Sequence, residues 1–252
     1  MAGFSGCGQP RNSKAFTNGP ELSPPGPYEK QGRLVGFGET TLLLPDDEGN
    51  IMHISEGVLS GPVLVSGIVL AAAGIAMGLK KLDYDRIPRA AILSASFFVA
   101  SLIHVPIGPS SVHLILNGIV GLILGWGAFP VILVALALQA LFFQFGGITT
   151  LGVNTVIMAL PAVLCYYLFG SLVGKGPRIA LLAAFLCGSL SVLFGAVMVG
   201  LALTFTEENF LKVSYLVVTA HIPVMIIEGI ITAFCVAFLK KVQPEMLPGD
   251  VP

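Results

Sequence analysis

Charge is what this sequence lacks most. Only 11% of its 252 residues are Asp, Glu, Lys or Arg, against about 25% in an ordinary soluble domain. The net charge of −1 comes without a basic patch, which excludes nucleic acid as a partner. Cysteine is sparse too. Cys7, Cys165, Cys187 and Cys235 show no CxxC spacing, and the last three fall inside apolar runs. They read as packing thiols rather than as a disulfide framework or a thiolate metal site. There is no GxSxG, no HExxH and no phosphate loop, so neither a hydrolase nor an ATPase motif is visible.

Apolar residues fill the space that charge leaves. The chain is 55% hydrophobic, with a mean hydropathy of +0.89. Spanning a bilayer takes about 20 mostly apolar residues in a helix, and several such runs follow one another after Met52. A membrane β-barrel would show alternation in segments of about ten residues instead. The fold class expected is an all-α integral membrane protein with seven transmembrane helices. The spans fall at 60–79, 89–106, 112–126, 128–146, 151–172, 178–204 and 213–239. Gly108-Pro109, Trp126-Gly127, the Lys175–Arg178 stretch and Thr206-Glu207-Glu208-Asn209 punctuate them.

Basic residues set the orientation. Lys80, Lys81, Arg86 and Arg89 follow the first span, Lys175 and Arg178 the fifth, and Lys240 and Lys241 the seventh. With seven spans all of these share one side, and Lys212 alone lies opposite. The expectation is an N-terminus outside and a C-terminus inside, with residues 242–252 as a cytoplasmic tail. Residues 1–51 differ from the rest. They are rich in Gly, Pro, Asn and Ser, have no apolar run fit for a signal peptide, and read as a disordered or weakly structured extension. Translation is expected to start at Met52, because codons for Glu48-Gly49 are able to spell a ribosome-binding sequence.

Ionisable or strongly polar groups inside a membrane are costly and usually face the protein interior. Those here are His53, Glu56, His104, His113, Asn117, Gln139, Asn154, His221 and Glu228, which include every histidine of the chain. Each has a structural alternative. His104 and His113 are able to bond across helices. His221 precedes Pro223 and is placed to satisfy backbone groups that the proline frees. Asn117, Gln139 and Asn154 suit interhelical hydrogen bonds. Glu228 lies two turns after His221 and suits a counter-charge. Glu56 suits a partner for His53 or a cap for the first helix.

Met52-His53-Ile54-Ser55-Glu56-Gly57 begins a series of blocks in a familiar order. The others are His104-Val105-Pro106-Ile107-Gly108-Pro109-Ser110-Ser111-Val112-His113, Gln139 to Gly147, Leu151-Gly152-Val153-Asn154 with Met158-Ala159, and Ala220-His221 with Glu228. Together they resemble the CbiM/NikM family, the substrate-specific components of energy-coupling-factor transporters for cobalt and nickel. The resemblance covers nearly all of 52–241. Residues 1–51 have no counterpart in it.

The resemblance implies a seven-span fold whose N-terminal segment tucks into the bundle and helps to form a metal site. Carried over, the metal ligands are Met52 through its terminal amine, His53 through its backbone nitrogen and ring, and His113 through a ring nitrogen. His104, Asn154, Gln139, His221 and Glu228 are candidates for orienting those ligands. Four nitrogens in a plane suit Ni²⁺, and nitrogen ligands also hold Co²⁺. The ion is a transported substrate rather than a cofactor, and the chain is not an enzyme. The implied partners are a CbiQ-type coupling subunit, a CbiO-type ATPase and a CbiN-type small membrane protein, all at the cell inner membrane. The first span offers Ala71, Ala72, Ala73, Gly74, Ala76 and Gly78 as a close-packing surface, with Ala72 and Ala76 on one face. The competing readings are an autonomous secondary transporter or channel for another solute, which would work without partners, and an intramembrane metalloenzyme, which lacks a carboxylate at metalloprotease spacing. His104 to His113 favours cobalt over nickel.

Overall fold

A computed structural model describes residues 32–37, 40–45, 54, 56–107, 110–206 and 211–248. The chain divides into two units, Met1–Asp46 and Asp47–Pro252. In the first, the described residues form an antiparallel hairpin of β1 (Gly32–Phe37) and β2 (Thr40–Pro45), with Val35 opposite Leu42. Its strands draw on Leu, Val, Phe and Thr, which suit a pleated ribbon. It is regular structure in a stretch where periodicity predicts none.

The second unit is helical. Its elements are α1 (Gly61–Lys81), α2 (Ile87–Ala100), β3 (His104–Ile107), β4 (Ser110–His113), α3 (Asn117–Leu124), α4 (Ala128–Phe143), α5 (Leu151–Val173), α6 (Pro177–Thr204), α7 (Leu211–Ala220) and α8 (Ile222–Val242). Among the described residues five segments are long and apolar enough to cross a membrane: Gly61–Lys81, Asn117–Phe143, Leu151–Val173, Pro177–Thr204 and Ile222–Val242. The 21 residues of α1 reach about 31 Å at 1.5 Å per residue, the thickness of a hydrocarbon core. Leu141, Phe142, Tyr167, Leu182, Ile230 and Phe234 are exposed, as an apolar belt against lipid requires.

Four expected spans take a different form. The second was expected to run to residue 106, but α2 ends at Ala100 and β3 pairs with β4 in a hairpin. The cause is local. Pro106 and Pro109 deny a helix its hydrogen bonds, while Val105, Ile107 and Val112 favour extended backbone. The hairpin ladder continues through a bond from Leu114 N–H to the Ile103 carbonyl.

The third and fourth expected spans sit within one apolar segment that is broken at Gly125–Gly127 by a single 3₁₀ turn. Gly125 has φ +53°, a backbone that glycine adopts without strain. The contacts on either side give the direction of travel. Asn117 reaches the Met158 carbonyl, and Gly121 and Gly125 lie against Ala162 and Tyr166, so α3 runs alongside α5 in the same sense. In the turn the Trp126 carbonyl lies at Gly78, and past it Phe129 lies at Gly74, so α4 runs back along α1. The seventh expected span is also divided, into α7 and α8 at His221, just before Pro223.

The core forms where α3, α5, α6 and α8 meet. Every residue of α3 is buried. Gly118 and Gly188 bring the backbones of α3 and α6 together, and Gly188 also faces the Glu228 carbonyl and Thr232 on α8. Ser191 Oγ donates to Asn117 Oδ1 at 2.8 Å, and Ser189 Oγ donates to the Met225 carbonyl at 2.9 Å. At the basic end, Lys240 Nζ donates to the carbonyls of Val173 and Lys175 at 2.7 and 3.0 Å, tying α8 to the last turn of α5. Lys81 Nζ lies 5.8 Å from the ring centre of Trp126, whose Nε1 donates to the Tyr167 hydroxyl at 2.9 Å. Lysines and amphipathic aromatics near the ends of apolar helices are the usual mark of a membrane–water boundary.

Candidate metal-binding centre

Two polar side chains, deep in the bundle, hold irregular backbone. Asn154 lies on the first turns of α5 and is almost wholly buried. Its Oδ1 accepts from the Ile54 N–H at 3.2 Å, and its Nδ2 donates to the Ile54 carbonyl at 3.2 Å. The amide thus grips one residue in the way that a neighbouring strand would. The N–H and carbonyl of Ile54 fix which end of the amide is which, and Nδ2 also donates to Thr150 Oγ1 at 3.3 Å. Ile54 itself is buried in the core. Residue 54 is therefore inside the bundle, and Met52 and His53 are the two residues before it; both lie outside the described residues.

The second grip is on the segment that follows β4. Glu228, fully buried on α8, accepts through Oε1 from the N–H groups of both Ile115 and Leu116, and through Oε2 from Leu116 at 3.2 Å. Leu116 has φ +56°, a left-handed conformation costly for a leucine. The carboxylate holds the chain there as it turns into α3. The expected role of Glu228 as a counter-charge to His221 gives way to this one. Backbone N–H groups, rather than an imidazole, are the partners that remove the cost of burying it.

His113 closes β4 and is fully buried. Its Nδ1 lies 3.0 Å from the Leu114 carbonyl. That contact makes Nδ1 the protonated nitrogen and Nε2 the lone-pair nitrogen, the tautomer a metal ligand needs. The hairpin register makes His104 the cross-strand partner of His113. Sequence reading places the two on different helices, with a break between them; strand pairing brings them opposite each other.

His221 is buried at the start of α8, and its Nδ1 contacts the Val217 carbonyl at 2.6 Å, one turn back in α7. It lies at the junction of α7 and α8, two residues before Pro223. Gln139 is fully buried on α4, and neither of its amide atoms has a hydrogen-bond partner among the described residues. Buried amides are rarely left so. The described contact of Glu56 is with the loop before α5, and its expected partner His53 lies outside the described residues. Glu56 Oε1 accepts from Thr149 N–H at 3.1 Å, in the glycine-rich turn that leads into α5. Gly147 in that turn has φ +125° and the Glu56 side chain directly against it, so no other residue fits there.

No three His, Cys, Asp or Glu side chains converge among the described residues. What the structure brings together is the frame of a site. One irregular segment lies at Ile54, just after His53, and the other at Ile115–Leu116, just after His113, and each is held by a buried side chain of a long helix. The Ile115 and Leu116 amides were not legible as functional, because nothing in a run of Leu, Ile and Leu distinguishes a backbone donor that is held from one that is not.

A helical multi-pass membrane protein with a buried histidine, and irregular backbone enclosed between its helices, has the layout of a transporter. The comparisons with known proteins agree. The sequence model of the CbiM family, described as the cobalt uptake substrate-specific transmembrane region, matches residues 53–246, and the chain belongs to that family. It is 46% identical over 201 residues to a putative metal transport protein of Haemophilus influenzae, covering 78% of this chain and 97% of that one. It is 28% identical over 212 residues to the cobalt transport protein CbiM of Sorangium cellulosum, with 78% and 94% covered. The fused nickel transport protein NikMN of Rhodobacter capsulatus is 31% identical over 221 residues, covering 78% of this chain and 64% of the fusion. A solved transition metal transporter superposes with a TM-score of 0.60 at 26% identity, covering 75% of this chain and 93% of the other.

Proposed function

We propose that this chain is the substrate-binding subunit of an ATP-driven energy-coupling-factor transporter that takes up Co²⁺ or Ni²⁺ across the inner membrane. The ligands are the Met52 amine in a chain that begins there, the His53 backbone and ring nitrogens, and a ring nitrogen of His113. The observation that carries the reading is the burial of Ile54 with both of its backbone groups held by Asn154. A chain start tucked into the bundle is what a terminal amine needs to reach a metal. The His113 tautomer set by Leu114 and the cross-strand pairing of His104 with His113 add support. The relatives named for cobalt and for nickel support the pair of metals, and the His104 to His113 block favours cobalt.

Seven crossings, with the N-terminus outside and the C-terminus inside, follow if α2, α3 and the α7–α8 pair each traverse. The reversal at Gly125–Gly127, Lys81 over Trp126 at the end of α1 and Lys240 at the end of α5 support that path. Energy comes from a CbiO-type ATPase through a CbiQ-type subunit, with a CbiN-type protein as accessory. On α1, Ala71, Gly74 and Gly78 are buried against the bundle, while Ala72, Ala73 and Ala76 are exposed. The exposed face is the one left for the coupling subunit. Replacing Ala72 and Ala76 together by Leu is expected to abolish ATP-driven uptake in reconstituted vesicles while metal binding stays at the parent level; joint loss would point to damage of the fold instead.

The deciding experiment is a titration with Co²⁺ and Ni²⁺ of the chain starting at Met52, beside His53→Ala and His113→Ala. One equivalent of one metal bound, and lost in both variants, is the expected result. Binding that ignores both substitutions would move the site elsewhere. Uptake without the partner subunits would favour an autonomous transporter.

A further inference from the structure

Both ligand-bearing segments are irregular backbone, and irregular backbone inside a bundle has to be held by something. The holders are on different helices: Asn154 on α5 and Glu228 on α8. Their chemistry differs in a way that matches what each holds. Asn154 has to satisfy a donor and an acceptor of the same residue, Ile54, and only an amide supplies both. Glu228 has to satisfy two donors, Ile115 and Leu116, and a carboxylate supplies acceptors alone. Each grip falls within three residues of a ligand of the proposed site, at Ile54 after His53 and at Ile115–Leu116 after His113.

Resting on the function proposed above, we infer that Asn154 and Glu228 are positioning residues that set the placement of the two halves of the metal site. Neither touches the ion. Asn154 holds the Met52-His53 half in register with α5, and Glu228 holds the His113 half in register with α8. Both α5 and α8 pack on α6, so the two halves of the ligand set are brought into mutual register through that helix. A shift of α8 against α5 would separate them, which is a direct route from helix movement to metal release.

The test uses Asn154→Leu, Glu228→Leu and Glu228→Gln in the full chain and in the chain starting at Met52. Ser189→Ala serves as control, because Ser189 makes a buried bond from α6 to α8 that touches neither ligand segment. Co²⁺ and Ni²⁺ are titrated, the ligand-field spectrum of bound metal is recorded, and backbone hydrogen exchange is followed at Ile54 and at Ile115–Leu116. Each leucine variant is expected to weaken binding about tenfold to a hundredfold, the usual loss when a ligand's support is removed. Each should also shift the spectrum and speed exchange at its own segment only. Glu228→Gln keeps one oxygen for both N–H groups but sets an NH2 where Oε2 accepts from Leu116, and is expected to lose less affinity than Glu228→Leu.

Parent-like affinity and spectra in both leucine variants would overturn the inference, as would an equal loss in Ser189→Ala. Where a leucine variant fails to fold, the milder substitutions decide. Asn154→Asp keeps the acceptor for Ile54 N–H but loses the donor, so parent-like binding in it, or a hundredfold loss in Glu228→Gln, would count against the inference. A parent that binds neither metal in either form defeats the metal-site reading itself, and the positioning roles with it.

Discussion

Metal affinity is expected to collapse when residues 1–51 remain attached. On the proposed ligand set, the terminal amine of a chain starting at Met52 and the next backbone nitrogen would close a five-membered chelate, which the His53 ring would extend. A preceding Ile51 converts that amine into an acylated amide, whose nitrogen lone pair is delocalised into the carbonyl and is open to metal only after loss of the amide proton. Loss of a supporting group around a metal costs about 10- to 100-fold in affinity, and loss of a ligand costs more, so a drop beyond about 100-fold is expected. Isothermal titration of the two forms with Ni²⁺ and Co²⁺ checks it, and equal affinity would remove Met52 from the ligand set. The same chemistry fixes the pH dependence. The amine, the amide and the imidazoles bind metal only without their protons, so acid competes with the ion. Affinity is expected to fall as pH drops through the ordinary histidine range near about 6.5, and to rise above it. A flat profile between pH 5 and 8 would speak for carboxylate ligands instead.

The second large effect is expected at Gly188. A side chain there meets the Glu228 carbonyl and Thr232 on α8, while Gly118 of α3 lies against the Gly188 backbone. Gly188→Val therefore drives a side chain into α8, against the Glu228 carbonyl and the branched Thr232, and neither neighbour is the far end of a flexible side chain. Overpacking of this kind costs about 1–3 kcal/mol and at times more. The expected result is a marked fall in the midpoint of thermal unfolding in detergent and in the yield of monodisperse protein. Because Glu228 moves with its helix, the metal affinity of the surviving protein should fall as well. Gly176→Ala makes a fair comparison, since nothing lies near that position; it should behave as the parent.

Much of this molecule is legible in one dimension. Low charge and long apolar runs mark a membrane protein, since no water reaches the lipid core to solvate polar groups. Boundaries set by a single strong local rule came through nearly to the residue. Pro177 opens α6 and Leu151 opens α5 close to where they were expected. Where two weaker rules compete, the reading failed. Hydropathy alone carries 89–106 and 112–126 as spans, yet the prolines and β-branched residues between Ala100 and Asn117 yield a hairpin. Hydropathy measures transfer to lipid and says nothing of whether backbone hydrogen bonds are made within a helix or across a ladder.

The sequence by itself determined the class of molecule, its family and the residue types fit for a metal, because composition and motif order are properties of the chain. Only the tertiary structure decided what those residues do for one another. That Asn154 holds Ile54, one hundred positions earlier, and that Glu228 holds Ile115 and Leu116 rather than His221, are contacts between segments remote along the chain. They depend on which helices are neighbours and at what depth. Close approach at Gly118, Gly121 and Gly188 sets both, and that approach is a property of the packed bundle.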